Sequence, residues 1–364
     1  MRIVLSGGGT AGHINPALAL AEVLIQKGHD VYFAGTPEGV EARLVKEAGI
    51  PFVAFEAQGF DRSHPASLVS GVTKILASSK KAKAWFKEIK PDVVVGFGGY
   101  VCIPVGRAAH SLNIPLVIHE QNSVMGMANK YLSRFAKAVA LTYEVSGSVV
   151  EDKSKIVVTG NPVRSSVLSA TREEGRRALN IPAEKDMLLV FGGSLGARHL
   201  NTAMVAMKDD LLAFDNLFIM HITGPKEFET VSEQLQLTEE ETKRYQVLGY
   251  QNQMGEAMAA CDMVISRAGA TSLAEISARA IPAILVPFPF ATADHQTTNA
   301  QAYVRAGAAF MMADSEVESP AFKELVLNFI GNASARARMV QAAREFETQN
   351  AAERLADVVV NASS

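Results

Sequence analysis

The sequence of 364 residues has only two cysteines, and they do not form a CxxC pair. Cys102 and Cys261 lie far apart in apolar surroundings, which predicts two buried thiols in a reducing compartment rather than a disulfide framework. The eight histidines show no HExxH spacing, and no DxD carboxylate pair is present to hold a divalent ion on a diphosphate. We therefore expect no metal site and no cofactor.

Long apolar runs and an excess of charge of one sign are also lacking. The longest uncharged stretch, Val93 to Gly106, contains glycines and a proline and is shorter than the ~20 residues of a spanning helix. The apolar run at the N-terminus is too short for a secretory signal. With 35 basic and 38 acidic residues, the net charge of −3 argues against a generic nucleic-acid binder. These features predict a cytoplasmic protein with no nucleic-acid partner.

The remaining composition is that of an ordinary globular protein, with 48% hydrophobic and 20% charged residues. Short β-branched runs alternate with longer helical patterns, which is typical of parallel sheets covered on both faces. The predicted strands are Ile3–Ser6, Val31–Ala34, Phe52–Phe55, Val93–Phe97, Leu116–His119, Val139–Thr142, Ile156–Thr159, Leu188–Phe191, Leu217–Ile222, Tyr245–Leu248, Met263–Ser266, Ala283–Pro287 and Ala309–Met312.

The two series of strands are separated near Gly160–Val163, where both helix and strand propensity are poor. Each series opens with an apolar strand that runs into a glycine-rich turn. We therefore predict an α/β fold of two Rossmann-like, doubly wound domains facing a cleft. The spacing of apolar residues over 335–360 predicts one terminal helix. The expected domains are 1–163, 164–340 and a C-terminal helix, 341–364, that packs back on the first domain.

Four glycine-rich segments each follow a predicted strand and precede a predicted helix. Glycine lets backbone N–H groups approach a ligand, and a helix N-terminus adds positive potential, so phosphate or pyrophosphate is the expected ligand. Any one of them alone is equally explained as a tight strand-to-helix turn. The four segments are Gly7–His13, Gly96–Tyr100, Gly192–Ala197 and Arg267–Ser272.

Two of these segments match motifs of other enzyme classes. Gly7, Gly9 and Gly12 match GxGxxG, but the second strand lacks the acidic residue that a nicotinamide site places at its end. Residues 192–196 match the GxSxG nucleophile elbow. The downstream Asp294 and His295 are adjacent in sequence, however, and adjacent side chains rarely line up behind a serine. Both an oxidoreductase and a hydrolase are therefore disfavoured.

Taken together, the ordered motifs resemble the MurG family, the bacterial UDP-N-acetylglucosamine transferases of peptidoglycan synthesis. The resemblance covers essentially the whole chain. It implies a GT-B fold and inverting transfer of GlcNAc from UDP-GlcNAc to the C4 hydroxyl of MurNAc in lipid I, which gives lipid II. The motifs are Gly8–His13, Gly96–Tyr100, His119–Asn122, Gly160–Arg164, Gly192–Ala197, Arg267–Ala270 through Glu275, and Asp294–Gln296 with Asn299 and Ala300.

The resemblance also implies roles for single residues. His13 is the expected catalytic base, because an imidazole with a pKa of ~6.5 suits proton transfer near neutrality. A histidine that caps the helix or bonds a phosphate is the structural alternative. The expected acceptor-binding residues are Gly98, Gly99 and Tyr100. The expected donor-binding residues are Thr10, Ala11, Gly12, Asn122, Arg164, Ser194, Gln251, Ala270, Thr271, Ser272, Glu275 and Gln296.

Within the donor set, Ser194 and residues 270–272 are expected to hold the diphosphate, and Glu275 the ribose hydroxyls. Arg164 and the backbone around Gln251 resemble uracil contacts, and Gln296 can donate to and accept from sugar hydroxyls. Three positions depart from the usual family pattern. Ala11 replaces a glycine and would restrict a backbone that needs positive φ, Leu195 replaces a glutamine, and Ser272 replaces a threonine.

Residues 61–90 carry seven basic residues against Asp61 and Glu88, interleaved with Leu68, Leu76, Trp85 and Phe86. Because the acceptor is anchored in lipid, this stretch is expected to rest on an anionic membrane surface. The alternative is an amphipathic helix that faces the core and exposes its lysines. The expected partners are UDP-GlcNAc, lipid I, the inner face of the bacterial plasma membrane and other cell-wall synthesis proteins.

Two other functional classes remain open from the sequence. One is a different GT-B enzyme, either a transferase with a soluble acceptor or a UDP-GlcNAc 2-epimerase, which would not need a membrane-facing patch. The other is a non-catalytic protein that binds nucleotide sugars. The latter would leave His13 and the acceptor-side glycine segments without a purpose.

Overall fold

The computed structural model describes residues 1–57, 65–193, 196–345 and 350–363, without the side chains of residues 65–72 and 292. The chain divides into two compact units. The N-terminal unit comprises Met1–Arg164 and Gln349–Ser364, and the C-terminal unit comprises Ser165–Thr348. In these ranges, no helix combines the length and the apolar character that are needed to cross a bilayer.

Over its described residues, the N-terminal unit is built on a parallel sheet of seven strands in the order β3-β2-β1-β4-β5-β6-β7. β1, β4 and β5 are rich in Val, Ile and Leu and buried almost throughout, as expected for strands covered on both faces. The strands are β1 (Arg2–Ser6), β2 (Asp30–Gly35), β3 (Phe52–Ala54), β4 (Val93–Gly96), β5 (Leu116–Glu120), β6 (Ala138–Leu141) and β7 (Ile156–Val158).

Helices connect these strands and cover the two faces of the sheet. The helices are α1 (Ala11–Gln26), α2 (Val40–Glu47), α3 (Pro65–Ile89), α4 (Cys102–Ser111), α5 (Met127–Leu132) and, from the end of the chain, α17 (Ala351–Ala362). One core cluster lies under α1 and α17, and a second lies under α3 and α4.

Over its described residues, the C-terminal unit is built on a parallel sheet of six strands in the order β10-β9-β8-β11-β12-β13. The strands are β8 (Asp186–Phe191), β9 (Leu217–Ile222), β10 (Tyr245–Leu248), β11 (Met263–Ser266), β12 (Ala283–Leu285) and β13 (Ala309–Met311). The helices are α6 (Ser165–Leu168), α7 (Arg172–Ala178), α8 (Arg198–Ala206), α9 (Lys208–Leu212), α10 (Phe228–Leu235), α11 (Glu239–Thr242), α12 (Met254–Ala260), α13 (Ala270–Ala278), α14 (His295–Arg305), α15 (Pro320–Gly331) and α16 (Ala333–Glu345).

The predicted α/β class with doubly wound parallel sheets is confirmed, and each predicted strand is present with ends shifted by at most two residues. The single helix predicted over 335–360 is wrong. Two helices, α16 and α17, occupy this region, and Asn350 before α17 has a left-handed backbone (φ 65°) that a continuous helix cannot contain. The described part of 341–348 belongs to α16 and the C-terminal unit, whereas α17 belongs to the N-terminal unit.

Within residues 61–90, Trp85 and Phe86 pack against the core, as the alternative of a core-facing amphipathic helix predicts. Phe86 is 1% exposed, and the Trp85 ring packs against Tyr32 and Phe55 at centroid distances of 6.4 and 5.7 Å. The apolar stripe of α3 is buried because it covers the sheet and α4. Leu76 on the outer surface of α3 is 54% exposed, and Leu68 lies outside the side chains that are described.

Candidate functional site

The first two glycine segments meet at the carboxyl edge of the N-terminal sheet. They follow β1 and β4, neighbouring strands at which the chain reverses its direction across the sheet. Gly99 lies so close to the first segment that a Cβ on it would be 2.4 Å from the carbonyl oxygen of Gly8. The two expected phosphate-binding turns are therefore in direct backbone contact.

His13 lies in the first turn of α1, directly above this contact. Its Nδ1 is 2.8 Å from the Gly8 carbonyl oxygen and 3.5 Å from the Thr10 hydroxyl. A carbonyl oxygen only accepts, so Nδ1 carries the proton and Nε2 carries the lone pair of the neutral ring. Nε2 lies beside Gly98: a Cβ on Gly98 would be 3.1 Å from this nitrogen.

Thr10, Ala11 and Gly12 of the first segment take conformations without positive φ. Thr10 precedes α1 with extended backbone and makes no side-chain cap. Ala11 and Gly12 open the helix, and Ala11 has no positive φ. The replacement of the usual glycine by Ala11 therefore costs no backbone strain.

Cys102, in the first turn of α4, contacts the backbone at both glycine segments. Its thiol is directed at the carbonyl oxygens of Gly98 (3.0 Å), within the second segment, and of Ser6 (3.2 Å), the last residue of β1 before the first segment. Burial raises the pKa of the Cys102 thiol to about 11, so the group stays protonated and can serve as a donor. Tyr100, the third acceptor-binding candidate, is half-buried just before α4.

A buried carboxylate organises the turn after β5, where Asn122 lies. Glu120 is 2% exposed, and its Oε1 accepts from the backbone N–H of Asn122 at 3.0 Å. Its Oε2 accepts from the Gly126 N–H at 3.0 Å and from Asn129 Nδ2 at 2.9 Å. No role was predicted for Glu120 from the sequence, although a glutamate that ends a buried apolar strand is a usable signal.

His119 precedes Glu120 and is fully buried. Burial lowers its pKa to about 4, so the ring is neutral. Nε2 donates to the Gly160 carbonyl at 3.0 Å, and Nδ1 accepts from Gln121 Nε2 at 3.0 Å. The ring is therefore a structural link between β5 and the chain that follows β7.

Arg164, a predicted donor-binding residue, lies in the N-terminal unit, with its Nε 3.8 Å from Glu22 Oε1.

The C-terminal unit repeats the arrangement at its own switch point, because the third and fourth glycine segments follow the neighbouring strands β8 and β11. At Gly196 a Cβ would lie 2.2 Å from the Thr223 carbonyl oxygen, and at Gly192 it would lie 2.4 Å from the Ala197 nitrogen. Glycine is thus required by close backbone approach. Ser194 and Leu195 lie outside the described residues.

The fourth segment leads into α13, whose N-cap is Gly269. Ala270, Thr271 and Ser272 form its first turn, and Glu275 lies half-buried one turn further on. This arrangement collects backbone N–H groups and hydroxyls at one helix N-terminus.

Gln296 in α14 connects the fourth segment to the turn after β12. Its Oε1 accepts from the backbone N–H groups of Ala268 (3.1 Å) and Phe288 (3.0 Å). Gln296 was expected both to donate to and to accept from sugar hydroxyls. Because two backbone donors occupy Oε1, only the NH₂ group is left to bind a ligand, and it can only donate.

Gln251, after β10, accepts at Oε1 from the Gln253 N–H at 2.9 Å.

Two family models match the chain. The glycosyltransferase family 28 N-terminal domain matches residues 3–141, and the glycosyltransferase family 28 C-terminal domain matches residues 187–355. The chain therefore belongs to glycosyltransferase family 28 and is an enzyme of the glycosyltransferase class.

Curated relatives narrow this assignment. A UDP-N-acetylglucosamine--N-acetylmuramyl-(pentapeptide) pyrophosphoryl-undecaprenol N-acetylglucosamine transferase of Leuconostoc mesenteroides is 41% identical over 100% of this chain and 99% of its own. The transferase of the same name from Halothermothrix orenii is 40% identical over 94% of each chain. The crystal structure of Acinetobacter baumannii MurG aligns over 99% of both chains with a TM-score of 0.77 and 30% identity. Within family 28, the chain belongs to the MurG family.

The UDP-GlcNAc 2-epimerase from Neisseria meningitidis aligns over 99% of this chain with a TM-score of 0.69. At 13% identity, this likeness shows the shared fold alone.

Proposed function

We propose that this chain moves GlcNAc from UDP-GlcNAc to the C4 hydroxyl of MurNAc in lipid I, which forms lipid II with inversion at the anomeric carbon. The names of its relatives support the donor and the acceptor. The observation that carries the mechanism is the hydrogen bond from His13 Nδ1 to the Gly8 carbonyl, because it leaves the lone pair on Nε2.

In this reaction His13 Nε2 takes the proton of the C4 hydroxyl as that oxygen forms a bond to the anomeric carbon. The bond from this carbon to the UDP oxygen breaks, and its electron pair leaves with UDP. Attack opposite to the leaving group inverts the configuration. The protonated ring keeps its bond to Gly8, so the orientation of His13 is the same before and after proton transfer.

The leaving diphosphate needs compensation for its added negative charge. The glycine turn after β8 and the first turn of α13 present backbone N–H groups, and these fixed dipoles need no reorganisation during the reaction. Ser194 and Ala270–Ser272 are proposed for the diphosphate. Glu275 is proposed for the ribose, and the NH₂ group of Gln296 for the donor sugar.

The acceptor is proposed to bind at the N-terminal turns. The contact between Gly99 and Gly8 keeps the turn of Gly98–Tyr100 beside His13. Glu120 holds the turn that carries Asn122 on the next strand, β5. We propose that the Gly98 and Gly99 amides and Tyr100 contact the acceptor pyrophosphate.

The activity is tested by measuring UDP release from UDP-GlcNAc with and without a lipid I analogue, in the presence of a chelator. We expect release that requires the acceptor, survives chelation and yields the disaccharide-lipid. Release without the acceptor, or formation of a 2-epimer, would favour the other GT-B enzymes. Binding of UDP-GlcNAc without turnover would favour a non-catalytic binder.

The base is tested by H13A and H13N. Both remove the lone pair at Nε2, so we expect kcat to fall by roughly 10²–10⁴-fold with little change in the Kd for UDP. Asn113, which lies remote from the turns with a left-handed backbone in the loop before β5, provides the N113G control. Unchanged kcat in H13A would remove His13 as the base.

We further propose that the N-terminal unit binds the anionic inner face of the plasma membrane. Supporting this proposal, a cavity of about 450 Å³ lies on the helical face formed by α3, α4 and α5. Among its described lining residues there are three cations and no carboxylate. The lining residues are Leu76, Ser79, Lys80, Lys83, Arg107, His110, Ser111, Tyr131 and Phe135.

Membrane binding is tested by cosedimentation with phosphatidylglycerol-rich and phosphatidylcholine vesicles at low and high salt. Each basic residue near the surface contributes about 1 kcal/mol, so K80A/K83A is expected to weaken binding to anionic vesicles by roughly tenfold or more. The control K46A/K87A removes two exposed lysines of the same unit that do not line the cavity. Equal losses in the two variants would contradict a role for the cavity.

A further inference from the structure

A buried carboxylate in the C-terminal unit lies outside the residues assigned to donor binding. Asp314, just after β13, is 8% exposed. Its Oδ2 accepts from His199 Nδ1 at 2.7 Å, and its Oδ1 lies 2.5 Å from Arg267 Nη1. His199 and Asp314 are 115 residues apart in sequence, so no local pattern indicates this cluster.

Each partner of Asp314 is joined to a glycine segment. His199 is in the first turn of α8, two residues after the third segment, Gly192–Ala197. Arg267 is the first residue of the fourth segment and follows β11 directly. One carboxylate therefore contacts a residue just after the third segment and the first residue of the fourth segment, and both segments are proposed to hold the diphosphate.

Arg267 extends the cluster to the turn after β12. Its Nη1 donates to the carbonyl oxygens of Val286 (3.2 Å) and Pro287 (3.1 Å), and its guanidinium lies 5.7 Å from the centre of the Phe288 ring. Because Nη1 directs its hydrogens to these carbonyls, its contact with Asp314 Oδ1 is mainly a charge interaction. The cluster thus joins the carboxyl ends of β8, β11, β12 and β13, four adjacent strands.

Burial makes this cluster sensitive to the loss of either charge. Arg267 and Asp314 are each 8% exposed, and a buried charge that loses its partner is strongly unfavourable. The His199 side chain is 53% exposed, so its substitution is the milder perturbation.

We infer that Asp314 is a positioning residue for the donor diphosphate. Through His199 and Arg267 it holds the third and fourth glycine segments at the separation that UDP requires. This role rests on the proposed donor site in the C-terminal unit. Loss of the cluster weakens donor binding and leaves the acceptor turns of the N-terminal unit untouched.

The inference is tested with H199A, H199N and D314N, and with E316Q as the matched control. Glu316 is exposed in the same short turn as Asp314. For H199A we expect the Kd for UDP, measured by calorimetry without an acceptor, and the KM for UDP-GlcNAc to rise about 5- to 10-fold. The KM for the lipid I analogue and kcat should stay within twofold.

The asparagine variant separates positioning from general destabilisation. Asn carries Nδ2 close to the place of His Nδ1, so H199N is expected to restore UDP binding to within twofold of the wild type. D314N is expected to weaken UDP binding more than H199A, and H199A should add nothing in the D314N background.

Unchanged UDP binding in both H199A and D314N would overturn the positioning role. So would equal weakening in H199A and H199N. If D314N does not fold, the comparison of H199A with H199N decides alone. Failure of the wild type to bind UDP would instead overturn the donor site itself, which keeps the two failures distinct.

Discussion

At the scale of single residues, glycine is needed for two different reasons at the N-terminal turns. Gly9 and Gly99 both have positive φ, of 91° and 83°. A Cβ on Gly9 would meet nothing within 4 Å, whereas a Cβ on Gly99 would lie 2.4 Å from the Gly8 carbonyl oxygen. A substitution at Gly9 therefore causes backbone strain alone. A substitution at Gly99 also displaces the Gly8 carbonyl, which orients His13.

The pair G9A and G99A separates these two effects. Left-handed backbone costs an alanine about 1–2 kcal/mol, and we expect G9A to lose this much unfolding free energy. G99A should lose more, and its kcat should fall further than that of G9A because the Gly8 carbonyl moves. Urea unfolding and steady-state kinetics measure both quantities. Equal effects of the two substitutions would show that the contact with Gly8 is unimportant.

At the scale of elements, the end of β5 shows how one carboxylate shapes a turn. Glu120 accepts from two backbone N–H groups, of Asn122 and Gly126, and from the side chain of Asn129. The turn over 121–126 has no regular structure of its own, so these bonds determine its course.

E120Q tests this arrangement. The substitution replaces one of the two oxygens by an NH₂ group, which cannot accept a hydrogen bond. Whichever oxygen is replaced, a backbone N–H group and an asparagine side chain lose their acceptor and face another donor. Leaving such buried groups unsatisfied costs about 1–3 kcal/mol, and we expect that loss in the free energy of unfolding together with a fall in kcat/KM for the acceptor.

The matched control is E151Q. Glu151 pairs with Arg134 at 3.4 Å on the surface, where its side chain is 78% exposed, and such pairs contribute little. Thermal unfolding of the two variants should differ clearly. If E120Q is as stable as E151Q, the turn is held by other contacts.

At the scale of the whole molecule, each unit contains a buried neutral histidine next to the last residue of a strand in the interior of its sheet. Burial lowers the pKa of His119 in β5 to about 4 and that of His221 in β9 to about 3. His221 Nε2 donates to Asn201 Oδ1 at 3.0 Å, and its Nδ1 accepts from the Tyr245 hydroxyl at 3.2 Å. Both rings exclude a second proton because neither has a carboxylate partner among its contacts in the described chain.

Stability should therefore decrease as the pH falls from 6.5 towards 4. An unfolded histidine binds a proton below pH ~6.5, but these two remain neutral in the folded units, so protons favour unfolding. The contribution of each ring is complete above pH 6.5 and has fallen by roughly 2 kcal/mol at pH 5.

Urea unfolding at pH 7.5 and pH 5 measures this dependence. We expect H119Q and H221Q each to remove about half of the loss that these two rings cause. Because the substitutions lie in different units, H119Q should act on the transition of the N-terminal unit and H221Q on that of the C-terminal unit. A pH dependence identical to that of the wild type in both variants would contradict the assignment.

The amino-acid sequence alone determined the strands, the class of the fold and the four glycine turns. These features depend on local causes, namely runs of β-branched residues, turns that exclude side chains, and the order of motifs along the chain. For the same reason, His13 could be selected as the base candidate from its place after the first glycine turn.

The tertiary structure alone decided which partners each side chain has. It showed that two helices, α16 and α17, divide the region predicted as one terminal helix, with Leu355 and Val359 of α17 in the core of the N-terminal unit, and that Phe86 is buried. It also showed which groups Glu120 and Asp314 contact. These outcomes depend on groups that are brought together from distant parts of the chain, as His199 and Asp314 are, and no local pattern contains that information.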